Sequence, residues 1–204
     1  MLTLYGAKGS GSASVEAALT LAGLPFRAVE AASWTPGPGL EELKRVNPLA
    51  QIPTLVLDDG TVMTESAAIL IWLGQRYPKS GLMPAESAAT LRGLVFIAAN
   101  CYAAIGIIDY PERFCADCDK PTSERIKAGA TARLHMYWDM FADQFGASFK
   151  PAAPGALELL AATVSRWSGA RAHLKEHRPA FYAMLEKVEA DPRIAAIFKR
   201  HWPK

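Results

Sequence analysis

Asn47-Pro-Leu-Ala-Gln51-Ile52-Pro53-Thr54-Leu-Val-Leu57 runs into Asp58-Asp59-Gly60 and then Thr61-Val-Met63-Thr64-Glu65-Ser66-Ala-Ala-Ile69-Leu70. Apolar runs on either side of Asp-Gly spell a hairpin of two short strands, 54–57 and 61–63. Thr64 or Glu65 then opens a helix whose apolar face is Ala68, Ile69, Ile71, Trp72 and Leu73, ending before Tyr77-Pro78. A proline opening a strand is a candidate for a cis bond, which is cheap only at X–Pro. That geometry turns the N–H and C=O of Ile52 outward, ready to pair with an extended peptide. The plainer reading is an edge-strand proline. Glu65 and Ser66 start the following helix, where a hydroxyl and free amides hold a carboxylate and Glu65 meets an ammonium. The plainer reading there is a helix cap with a first-turn carboxylate, which the macrodipole favours.

Working toward the N-terminus, 40–46 is a short helix, and the Pro- and Gly-rich 32–39 is an irregular loop. Strands are expected at 2–5 and 26–29, with a helix over 12–24 carrying Val15, Ala18, Leu19 and Ala22 at helical spacing. The order is β-α-β-α-β-β-α, read as two parallel-type crossovers followed by a hairpin. Between the first strand and helix lies Gly6-Ala-Lys-Gly9-Ser10-Gly11-Ser12-Ala-Ser14. Its glycines admit close backbone approach, and the helix N-terminus offers unpaired N–H groups to an anion. A hydroxyl of Ser10 or Ser12 would favour an ionised ligand group there; the alternative is an ordinary Gly/Ser turn.

Beyond the linker at 79–86, helical patterns dominate: 87–115, 122–147, 154–168, 170–176 and 179–190. The chain has 204 residues, half hydrophobic and 21% charged, with 22 Lys plus Arg against 20 Asp plus Glu. Such balance excludes a disordered tail, a disulfide scaffold and a nucleic-acid glove. Three cysteines without a repeating spacing read as free thiols in a reducing compartment, and no secretion signal is visible. The longest uncharged run, Gly93 to Ile108, falls short of the ~20 apolar residues of a bilayer span, so no membrane is expected and the compartment is the cytoplasm. Gly9-x-Gly11-x-x-Ser14 with Glu30 imitates a dinucleotide fingerprint, but it lacks the third glycine and meets a hairpin where βαβ should continue. Cys115-Ala-Asp-Cys118 is a lone pair after a long helix, without a second ligand pair. The four histidines show no metal spacing, and Cys101 reads as a buried thiol.

On these residues the chain resembles a cytosolic glutathione transferase, nearest the bacterial beta class. Asn47-Pro-x-x-Gln51-Ile52-Pro53-Thr54-Leu and Leu57-Asp-Asp-Gly-x-Val-Met-Thr-Glu65-Ser66-Ala-Ala-Ile-Leu are the most specific stretches. The resemblance implies an α/β thioredoxin-like N-terminal domain (1–78), a linker (79–86) and an all-α helical C-terminal domain (87–204) forming the second-substrate site. It implies that Ile52 and Pro53 pair with the cysteinyl part of glutathione, that Gln51 lies alongside, and that Glu65 and Ser66 hold the γ-glutamyl end. The implied activity is detoxification: the glutathione thiolate attacks a small apolar electrophile held by Trp34, Tyr102, Ile105, Gly106 and Tyr110. Glutathione is a co-substrate, no other cofactor or metal is called for, and the partner is a second copy of the chain in a homodimer.

The departures from the family are equally specific. Aligned without gaps, the beta-class cysteine falls on Gly11 and the serine of theta-, zeta- and phi-like enzymes on Gly9. Neither activates a thiol through a side chain, which leaves Ser10 and Ser12, one residue away, as catalytic candidates, with Tyr5 behind them. Tyr102 stands where the beta class has histidine. Gly155-Ala-Leu-Glu158 keeps the carboxylate of the family's capping box and loses its hydroxyl, a loss of a few tenths of a kcal/mol for glycine. Two alternatives stay open: a non-catalytic transferase-like binding module, and a glutathione-dependent disulfide or peroxide reductase.

Overall fold

Residues 1–203 are described by a computed structural model of the chain. Alternation along the first strand, β1 (Leu2–Gly6), sends Leu2 and Leu4 to one buried face and Tyr5 to the other. A strand covered on both faces belongs inside a sheet. The four-stranded sheet runs β2 (Phe26–Glu30), β1, β3 (Thr54–Val56), β4 (Val62–Met63). α1 (Ser12–Leu21) makes the crossover to β2, which pairs parallel with β1. α2 (Pro38–Val46) packs with Tyr5, Ala31 and Val29 on the Tyr5 face. α3 (Ser66–Arg76) follows the hairpin.

One expectation is corrected. β3 pairs antiparallel with β1, through Thr3–Val56, Leu4–Leu55 and Tyr5–Thr54, so there is one parallel crossover and not two. The turn before β3 reverses the chain. Asn47 Nδ2 donates to Gln51 O at 3.2 Å and to Thr54 Oγ1 at 3.0 Å, and Leu49 N–H donates to Asn47 Oδ1 at 3.1 Å. Apolar periodicity within a strand carries no information about the direction of its neighbour.

The rest is helical: α4 (Ala88–Phe96), α5 (Ala103–Asp109), α6 (Lys120–Phe145), α7 (Ala156–Val164), α8 (Ala170–His177), α9 (Pro179–Glu189) and α10 (Ala195–His201). α4 and α5 are joined without a break by a π-helical segment, Ile97–Tyr102. The whole run Ala88–Asp109 is 22 residues, long and apolar enough by length and composition to cross a bilayer, contrary to the shorter run read from the sequence. Here it packs instead against α6 and α7. It stops at Tyr110-Pro111 because proline disfavours helical backbone in the residue before it. α10 was not anticipated: it is seven residues long and follows the break at Asp191-Pro192.

α7 is buried along its whole length, and α1 and α3 pack on it. One continuous core therefore joins Val15, Leu19, Ile69 and Leu73 of the sheet half to Leu94, Trp138, Phe141 and Leu160 of the helical half. The orientation of one half on the other is fixed by buried apolar surface, at roughly 25 cal/mol per Å². Any cleft between them is shaped by rigid walls.

Candidate functional site

A cavity of about 500 Å³ lies between the sheet half and the helical half. Gln51, Ile52, Pro53, Thr64, Glu65 and Ser66 form its sheet-side wall, and Ala98, Tyr102, Ala103, Tyr110 and Arg113 the helical side. The Ile52–Pro53 bond is cis. Ile52 lies outside the strand register, and among the described residues neither its N–H nor its C=O has a hydrogen-bond partner. A residue lining the cavity thus has a backbone donor and acceptor without partners, where folded chains normally pair such groups.

α3 begins at the same wall. No side chain caps it, and Ser66, buried at 9% exposure, has its hydroxyl and first-turn amides free for a ligand. Neither Glu65 nor Ser66 caps α3 through its side chain. Glu65 is exposed and holds φ at +62°, a left-handed conformation costing about 1–3 kcal/mol in a non-glycine residue. Such outliers gather at ligand sites, and this one stands beside the free amides. An anionic group and an ammonium on one ligand have complementary partners here within a single turn.

The β1–α1 loop is arranged differently from the expectation. Ser10 and Ser12 are both buried. Ser10 Oγ donates to Ala7 O at 2.8 Å, the two hydroxyls lie 2.8 Å apart, and Ala7 N–H donates to both. Two hydroxyl protons are used within one small network, and neither serine lines the large cavity. Ser12 borders a separate cavity of about 130 Å³, beside Glu16 and His201. Tyr5 is also turned away: its hydroxyl donates to Glu42 Oε1 at 2.8 Å, and burial first, then that carboxylate, raise its pKa. Cys101 is wholly buried, and desolvation pushes its thiol far up.

Of the residues expected around the second substrate, Trp34, Tyr102 and Tyr110 line the cavity, while Ile105 and Gly106 do not. Ile105 is in the core at 4% exposure. α5 packs against α6, and that contact takes Ile105 into the core and away from the cavity. Arg113 was missed; its guanidinium carbon stacks 3.8 Å from the Tyr110 ring centroid at the mouth. His201 was also missed. It is buried, its Nδ1 accepts the Gly9 N–H at 3.2 Å, and Nε2 lies 2.8 Å from Glu16 Oε2. From the other side, Trp167 Nε1 donates to Gly9 O at 3.0 Å. Both polar groups of Gly9 are thus held by the helical half. No sequence signal marks either contact, since each joins residues more than 150 positions apart.

Comparison with known proteins gives the family and the fold. The family model described as Glutathione S-transferase, N-terminal domain, matches residues 12–76. The chain is similar to the glutathione S-transferase GstA of Escherichia coli O157:H7, at 30% identity over 74% of this chain and 76% of that protein. It is also similar to an uncharacterized GST-like protein, YncG, of Escherichia coli strain K12, at 37% identity over 62% of this chain and 63% of that protein. The fold matches the crystal structure of a glutathione transferase homologue from Sulfitobacter with bound glutathione. That match has a TM-score of 0.79 and 22% identity, covering 97% of this chain and 96% of the other. The chain belongs to the glutathione S-transferase family: a thioredoxin-like sheet domain followed by a helical region.

Proposed function

We propose that this chain is a glutathione transferase that binds the tripeptide extended along Gln51-Ile52-Pro53 and conjugates its sulfur to a small apolar electrophile. The observation that carries this reading is the unpaired N–H and C=O of Ile52, facing a cavity that also holds the uncapped start of α3 and the Glu65 carboxylate. In this pose the cysteinyl residue of glutathione pairs with Ile52 as an added strand. Its γ-glutamyl carboxylate accepts from the Ser66 hydroxyl and first-turn amides of α3, and its ammonium meets Glu65. The sulfur then lies toward Gly11, at the start of α1. Residues 1–78 supply the glutathione site and residues 87–204 the electrophile site. The sulfur of the thiolate forms the new bond to carbon, the leaving group departs with its electron pair, and the thiol proton goes to solvent. Trp34, Tyr110 and Arg113 form the entry on the electrophile side. We further assign the protein to detoxification in the cytoplasm, working as a homodimer, on the strength of family membership.

The test is calorimetric titration of the purified chain with glutathione, followed by turnover of a generic aryl halide. Binding with conjugation supports the reading. Absence of binding overturns it in favour of a transferase-like binding module, and binding with disulfide reduction but no conjugation overturns it in favour of a reductase.

A further inference from the structure

A thiol bound over Gly11 needs a hydrogen-bond donor to hold it as thiolate, and in the adjoining loop Ser10 donates to Ala7 O and Ser12 to the Ser10 hydroxyl. We propose that Tyr102, reaching across from the helical half with its hydroxyl filling the space beside Gly11, is the catalytic residue that donates its phenolic hydrogen to the glutathione sulfur. This rests on the glutathione-binding reading above.

Contacts of Gly11, Tyr102 and Trp167 define that space. A Cβ built on Gly11 would lie 2.7 Å from Tyr102 Oη and 3.3 Å from Pro53 Cδ. The hydroxyl therefore stands where a side chain at position 11 would begin, against the same turn that presents Ile52. The Tyr102 ring packs edge-on to Trp167, centroids 5.5 Å apart, and the Trp167 indole also holds the Gly9 carbonyl. A single indole thus sets both the donor and the loop it faces. Tyr102 is the last residue of the π-helical segment, a local distortion that recurs at functional sites.

The chemistry fits a donor and not a base. Tyr102 Oη has no hydrogen-bond partner among the described residues, and the charged groups acting on it are Glu65 and Asp109. Burial first, then those two carboxylates, push its pKa up to about 12. The phenol keeps its proton at neutral pH and is free to stabilise an adjacent negative charge. No proton leaves Tyr102 in the step; the sulfur loses its proton to solvent and gains the phenolic hydrogen bond.

The test is a pH titration of the bound thiol by its ultraviolet thiolate absorbance, with glutathione affinity measured alongside on the full chain. In the wild type the bound thiol titrates below the ~8.5 of a free thiol. In Tyr102→Phe it rises by about one pH unit or more, and turnover at neutral pH falls about tenfold, while glutathione affinity changes less than about twofold. Gly11→Ala keeps the phenol but crowds it, and raises the thiol pKa in the same direction. Failure of the wild type to bind glutathione removes the underlying reading. Normal binding with an unmoved thiol pKa in Tyr102→Phe overturns the role of Tyr102 and leaves the binding site intact.

Discussion

Replacing the two residues at the start of α3 separates the ligand's carboxylate from its ammonium. Ser66 is buried and uncapping, so its hydroxyl is available only to a ligand. Ser66→Ala removes one hydrogen bond to a charged group, worth about 1.5–3 kcal/mol, which is roughly a ten- to hundredfold weaker Kd. Glu65 is exposed, so its pairing with an ammonium resembles a surface ion pair of about 0.2–1 kcal/mol. Glu65→Gln keeps the size and the left-handed backbone cost and removes the charge alone. Its loss should not exceed about fivefold, and it should shrink as salt shortens the Debye length from ~10 Å at 0.1 M to ~3 Å at 1 M. Calorimetry with glutathione and with an analogue lacking the α-amino group closes the cycle. Against the deaminated analogue Glu65→Gln should cost nothing, whereas Ser66→Ala should cost as much as before. A larger loss in Glu65→Gln than in Ser66→Ala, or an equal loss against both ligands, refutes this assignment of the γ-glutamyl end.

Three further outcomes follow from the same contacts. Tyr5→Phe breaks the bond to Glu42 and should lower stability by about 1 kcal/mol in denaturant unfolding, with turnover unchanged; lost turnover at full stability would return Tyr5 to the sulfur. Gly155→Ser restores the hydroxyl of the capping box, yet should destabilise by about 1–3 kcal/mol, because its Cβ would sit 2.7 Å from Leu82 O; a higher melting temperature would contradict the steric argument. The raised pKa of Tyr102 predicts alkaline sensitivity. The unfolded chain ionises this phenol from about pH 10, and the folded chain resists until about 12, so stability falls as pH rises across that window. Tyr102→Phe should lack this share of the fall, about 2–3 kcal/mol by pH 12, and parallel unfolding curves for the two proteins would count against it.

What was legible in the sequence is what short-range chemistry writes there. Asp-Gly between apolar runs placed the hairpin, the Ile52-Pro53 step marked the turn, and Glu65-Ser66 marked the start of α3. Gly155 shows the limit of that reading. The motif alone suggests a weakened cap, but the structure shows Glu158 Oε2 accepting the Gly155 N–H at 2.9 Å and Oε1 accepting that of Lys150 at 2.8 Å. The missing hydroxyl reflects the backbone of the linker, whose Leu82 O accepts the Ala156 N–H at 2.8 Å and leaves no room for a Cβ. A local motif looked defective because its constraint came from more than seventy residues away.

The group proposed to face the thiol was hidden for the same reason twice over. Reading outward from the empty positions Gly9 and Gly11, the nearest hydroxyls along the chain are Ser10 and Ser12, and a one-residue shift of the loop would have sufficed. That shift is opposed in the fold: Gly9 is held by His201 on its N–H and by Trp167 on its C=O, and Ser10 and Ser12 are knitted to Ala7. The glycine at 11 then has a positive role. A side chain there would collide with Tyr102, so Gly11 and Tyr102 are complementary in volume, one small because the other reaches in. In the role proposed for Tyr102, the donor that the loop lacks comes from across the cleft, from a residue 91 positions away that shares one space with Gly11.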